Sequence, residues 1–155
     1  MEQARFLRNV DLVPLVVRIA LAIVFIYHGY PKIFSGGHAQ IAQLMADQGA
    51  PSPELLGWLA GGAEFFGGIL ILPGVLSRLW ALGLVVVMAV AIATVHWANG
   101  FDLRNEGYGY EYCLTLLLAA LAILLGGPGR ISLDTILFAK SKKSKKHKPE
   151  LIDKL

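Results

Sequence analysis

Five side chains in this chain can carry charge or move protons while lying in or beside strongly apolar sequence: Arg18, His28, Glu64, His96 and Glu111. Glu64 is the most informative. It is the only charge in the 22-residue run Leu55–Leu76, and an acid at the centre of a membrane span costs roughly 2.5–3.5 kcal/mol on insertion scales. An acid retained at that cost marks a functional candidate. Ala60, Gly61, Gly67 and Gly68 lie three or four positions away and are small, so a second helix can approach there. Glu64 is therefore expected to face protein. Arg18 is the expected partner, in a structural ion pair. Two roles stay open for the carboxylate, glue within a bundle or proton exchange.

The remaining groups gather at one level. His96 falls near the end of a third apolar run and Glu111 in the first turn of a fourth. The expected arrangement is a pocket in the outer half of a bundle, with Glu64 as floor and His96 and Glu111 on the walls. Tyr27, His28, Tyr30, Tyr108 and Tyr110 would stand at its mouth. Imidazole titrates near neutrality, and burial favours the protonated form of an acid. Such a set suits proton exchange with a quinone-like molecule, whose ring needs an apolar slot. Plainer readings stand beside these. Glu111 suits a helix N-terminus through the dipole alone, His96 beside Trp97 fits an interfacial polar residue, and His28 fits a surface one. One histidine on each of two helices makes no haem or metal motif, and none is assigned.

The elements that must position these residues follow from composition. The chain of 155 residues is 55% hydrophobic and 16% charged, which points to a membrane protein. Four apolar spans are expected at about 12–30, 55–76, 79–98 and 110–126, giving an all-α four-transmembrane-helix bundle with short interfacial helices. Pro31 is expected to end the first span, and Ser52 to cap the second with Pro53 at its first position. Pro73-Gly74 should kink or end that span, and Ser77-Arg78 should make a tight turn. On span one, Arg18, Leu21, Phe25, Gly29 and Lys32 share a face. On span three the expected inward face is Leu82, Val85, Ala89, Ala93 and His96. His38–Gln48 reads as a surface-lying amphipathic stretch.

Residues 1–139 form the membrane domain on this reading, and 140–155 a basic cytoplasmic tail. Lys140–Lys148 holds six lysines in nine residues, suited to anionic lipid. With both termini inside, 11 lysines and arginines are cytoplasmic and only Lys32 and Arg104 are outside, as the positive-inside rule requires. A bacterial inner membrane is the expected location. Cys113 is the single cysteine, which excludes an intrachain disulfide or cysteine-pair relay. The basic pI reflects the tail, so no nucleic-acid partner is expected.

These residues resemble the DoxX/DoxD family of four-helix integral membrane proteins over about Val13–Asp134. The resemblance rests on Arg18, Leu21, Phe25, Gly29 and Lys32, then Gly49-Ala50-Pro51 and Pro53. It continues through Glu64, Gly67-Gly68, Leu70–Gly74, His96 and Gly109–Tyr112. It closes on Gly127-Pro128-Gly129-Arg130-Ile131-Ser132-Leu133-Asp134. Members include a subunit of a thiosulfate:quinone oxidoreductase. The resemblance implies a component of a membrane redox system, working with a partner redox protein or as a homo-oligomer. The alternative is a non-catalytic anchor or scaffold for soluble enzymes.

Overall fold

Inside a bilayer no water satisfies the backbone, and a helix closes its own hydrogen bonds residue by residue. The apolar runs of this chain take that solution in a computed structural model that describes residues 12–137. Three helical stretches are long and apolar enough to cross a membrane, and a fourth apolar helix is shorter. They are α1 (Leu12–Phe34), α3 (Pro53–Ile71), the stretch Ser77–Asn99 that begins with α4 (Ser77–Ala91), and α5 (Glu111–Gly126). A shorter helix, α2 (Gly37–Asp47), lies against α1 and α3. Residues 133–137 form a last helical turn. The described residues contain no strand, and the all-α expectation holds. The basic tail from Lys140 and its expected lipid contact lie outside the described residues, as do Arg5 and Arg8.

The four long helices close a ring: α1 packs on α3, α3 on α4, α4 on α5, and α5 back on α1. Leu21, Phe25, Ile71, Leu84, Ala120 and Ile123 meet inside it. Lipid is as apolar as these side chains, so close packing and polar contacts must hold the helices together. The α1–α3 seam shows how. A Cβ on Gly29 would stand 2.4 Å from the backbone nitrogen of Phe65. The two helices touch backbone to backbone there, and any side chain would force them apart.

Four local expectations change. Pro31 does not end α1, which runs on for one turn to Phe34. Proline forfeits one backbone hydrogen bond while keeping a helical φ. The extra turn is held by tertiary contacts, with Phe34 edge-on to Phe65 at 5.2 Å and Lys32 bound to α3. Ser52 sits at the N-cap position of α3 but makes no side-chain cap; its φ is +51°, and its carbonyl accepts from the Leu56 N–H. The break after α3 falls at Leu72–Leu76, with Pro73-Gly74 ending the helix as expected, and Ser77 already opens α4. The inward face of α4 is Ser77, Ala81, Leu84 and Met88, whereas Leu82, Ala89 and Ala93 are exposed. That helix is apolar all round, so its periodicity carries no contrast between lipid and protein.

Candidate functional site

The carboxylate of Glu64 is buried and meets a cation, but that cation is Lys32. The Lys32 Nζ lies 2.5 and 2.6 Å from the two Glu64 oxygens. The Glu64 side chain is 2% exposed and that of Lys32 22%. The pairing follows from the added last turn of α1, which carries Lys32 down the face of Arg18, Leu21, Phe25 and Gly29 onto α3. Gly61, one turn before Glu64, admits the lysine stem: a Cβ there would lie 2.9 Å from the Lys32 Cβ.

The expected Arg18–Glu64 pair is not formed. Arg18 is 1% exposed and spends its guanidinium on backbone carbonyls at the opposite end of α3. Its Nε donates to Ile71 O at 2.8 Å, and Nη1 donates to Pro128 O and Ile131 O, each at 2.7 Å. Nη2 donates to Leu72 O. Ile71 and Leu72 stand where α3 ends, and Pro128 and Ile131 in the non-helical segment after α5, so no helical ladder takes up these carbonyls, although Ile71 O also accepts from the Gly74 N–H at 3.2 Å. The planar fork of arginine reaches several at once. The segment after α5 finishes the clasp. Leu133 and Asp134 donate their N–H groups to Pro73 O and Gly74 O, and the Asp134 carboxylate accepts from Leu76 N at 2.7 Å and Ser77 N at 2.9 Å. Asp134 thus caps α4 from 57 residues away. Gly74 has φ +78°, and a Cβ on it would stand 2.5 Å from the Ser132 Cβ.

Beside the Lys32–Glu64 pair opens a cavity of about 460 Å³. It lies among α2, α3, α4 and the π turn Ile92–His96. Ile41, Leu44 and Met45 of α2 cover one end; Ala60 and Ala63 of α3 face Gly83, Val87 and Ala91 of α4. Lys32 and Glu64 are the only charged residues in its lining. The volume falls within the range of small-molecule sites, about 300–1,000 Å³. Apolar walls with one charged end can hold a flat, mostly apolar molecule that carries a polar group at one edge.

The other expected site residues lie elsewhere. His96 turns to the loop before α5, its Nδ1 2.8 Å from Tyr108 O. Glu111 starts α5, half-buried. Tyr108 is exposed with φ +61°, and Tyr110 stacks on Trp97 at 5.4 Å. Tyr27 is exposed, edge-on to His28, whose ring also lies 6.3 Å from that of Tyr112. None of these lines the cavity. The π turn explains the departure of His96: it rewinds the helix five residues before the loop, and such turns recur at functional sites. Lys32 is the residue the sequence reading placed in an outer loop. The signal for it was its register, three positions after Gly29 on the buried face of α1.

Fold and site define a class: a helical membrane bundle with a buried ion pair closing one end of an apolar cavity. The DoxX family model matches residues 13–97, and the model described as "TQO small subunit DoxD" matches residues 56–154. The chain belongs to the DoxX/DoxD family and is an integral membrane protein. It is 32% identical over 126 residues to Inner membrane protein YphA of Escherichia coli (strain K12), covering 77% of this chain and 86% of that protein. It is also 31% identical over 134 residues to an uncharacterized protein of Haemophilus influenzae, covering 80% and 90%. No solved structure matches the chain.

Proposed function

We propose that this protein is a membrane component of a redox system, placed in a bacterial inner membrane, that binds a quinone-like molecule in the cavity beside Lys32–Glu64. The observation that carries this reading is the cavity itself, lined by apolar residues except for one ion pair and Thr94. The match to a small-subunit family supports a role beside a partner redox protein, and the inner-membrane relative supports the location. Two-electron reduction of a quinone by a partner redox protein takes up two protons, and a carboxyl group behind an ammonium at the ring edge can accept protons and pass them on through it. That role falls to Glu64. His96 and Glu111, which stand outside the cavity, are left for exchange with the aqueous loop or for structure alone.

The test is direct. Protein purified in mild detergent is extracted, and its quinone content is measured against protein. The expected result is a bound isoprenoid quinone that Ala63→Phe, which fills the cavity, removes while leaving the bundle folded. Glu64→Gln should retain the quinone and lose any quinone-linked proton uptake. Wild-type protein free of quinone when isolated from quinone-replete membranes refutes the reading. The second reading, an anchor for a soluble enzyme, also draws on the small-subunit match. It predicts that Ala63→Phe leaves all cellular function intact.

A further inference from the structure

The way into the cavity is set by which of its walls are exposed. Leu59 of α3, Val86 and Val90 of α4 and Val95 of the π turn line the cavity and are at the same time 57%, 52%, 41% and 38% exposed. They are its rim. Val86 and Val90 straddle the midpoint of the stretch Ser77–Asn99, and Leu59 lies near the middle of α3. The three most exposed rim residues therefore face hydrocarbon near mid-depth, and the rim continues toward the loop end at Val95. The end nearest the chain's loops is covered in part by α2, whose C-cap residue Gln48 donates its Nε2 to Thr94 O of the π turn at 3.2 Å. A molecule arriving from water meets that helix; one dissolved in the bilayer meets an apolar gap.

The inner end offers a specific group. An ammonium has three N–H donors and no acceptor. Two of those of Lys32 go to the two oxygens of Glu64, and among the described residues the third has no protein partner, while Lys32 lines the cavity. A half-buried charge-assisted donor in an apolar cavity seeks an oxygen acceptor. Glu64 neutralises and orients the lysine, so the pair attracts a neutral acceptor rather than a second anion.

We propose that the ligand slides in sideways from the bilayer between α3 and α4, and that the third N–H of Lys32 donates to its carbonyl oxygen, with Glu64 as the positioning residue. The ligand class is a membrane-dissolved ring ketone or quinone with an apolar tail left at the Leu59–Val86–Val90 rim. This rests on the proposed function and adds the route and the recognising atom.

The experiment uses the full chain in lipid nanodiscs and two photoreactive probes with the same diazirine-bearing alkyl tail. One tail carries a benzoquinone and the other a benzene ring. The quinone probe should label Leu59, Val86 or Val90 saturably, at a concentration about tenfold or more below the benzene probe, the size of one hydrogen bond to a charged group. Lys32→Met should abolish that preference. The neutral pair Lys32→Met/Glu64→Gln, which strands no carboxylate, should abolish it too and guards against misfolding. Retained preference in the folded double variant overturns the role of Lys32 and leaves quinone binding standing. Saturable labelling confined to Tyr27, Tyr108 or α2 overturns the sideways route. Saturable labelling by neither probe overturns this proposal together with the proposed function.

Discussion

The two ends of α1 each bury one cation against α3, and they handle it in opposite ways. Arg18 and Lys32 lie fourteen positions apart on one face, about 21 Å along the helix axis at 1.5 Å per residue. Arg18 meets no carboxylate directly. Four of its donor contacts go to carbonyls at the ends of α3 and α5, and chain surrounds it on every side. Lys32 meets a carboxylate, keeps one donor spare and borders a cavity. The difference teaches how to read a charge inside a membrane bundle. A cation that gives four of its five N–H donors to backbone carbonyls joins chain ends that would otherwise carry unsatisfied groups. A cation with unused capacity bordering an apolar cavity is where the proposed ligand would be recognised.

The comparison can be broken most severely at Arg18. Arg18→Met should destabilise the bundle by about 3–5 kcal/mol, the scale for stripping one partner from a buried polar network. Unfolding in a denaturing-detergent titration measures it. Lys32→Met should cost less, about 1–3 kcal/mol, because the lysine is already partly exposed. A smaller loss at Arg18 than at Lys32 would reverse the assignment of the two ends. The same titration sharpens the pairing. Arg18→Met and Glu64→Gln should add to within about 0.5 kcal/mol, whereas Lys32→Met and Glu64→Gln should couple by about 0.5–3 kcal/mol.

Two substitutions probe the clasp without touching the cavity. Gly74→Ala places a side chain in the left-handed region, at about 1–2 kcal/mol, and against Ser132. It should weaken the bundle while leaving ligand binding unchanged. Asp134→Ala removes the cap on α4 and should cost about 1 kcal/mol, read as faster amide exchange in the first turn of α4 with no change at α2. An effect of either on the Lys32–Glu64 end would show that the two regions are mechanically one.

The smallest effect lies in the loop before α5. Arg104 donates to the Asp102 carboxylate through side chain and backbone, and these hydrogen bonds hold the acid below its ordinary range. An acid lowered in this way contributes order above its ordinary titration range and loses that contribution as pH falls through the lowered value. Amide exchange across residues 100–109 should therefore quicken slightly only in strong acid, and Asp102→Asn should remove the pH dependence. An exposed pair of this kind contributes little, so bundle stability should not follow it.

Much of this was legible in the residues alone. Long apolar runs must become helices in a bilayer, because no other open structure satisfies the backbone there. One acid in 22 apolar residues had to be shielded from lipid, and the small residues beside it announced a close helix. The buried face of α1 was readable as well, since Arg18, Gly29 and Lys32 interrupt an apolar background at helical spacing. What the residues could not convey was which cation meets Glu64. Arg18 and Lys32 share a face, and the choice between them turns on whether α1 survives Pro31 by one more turn, which contacts with Phe65 and Glu64 decide. Nor could they tell that Arg18 would be claimed by carbonyls 53 and 110 residues away, because every residue supplies the same carbonyl whatever its side chain. The inward face of α4 was hidden for a related reason: where lipid and core are equally apolar, only the neighbouring helices distinguish inside from outside.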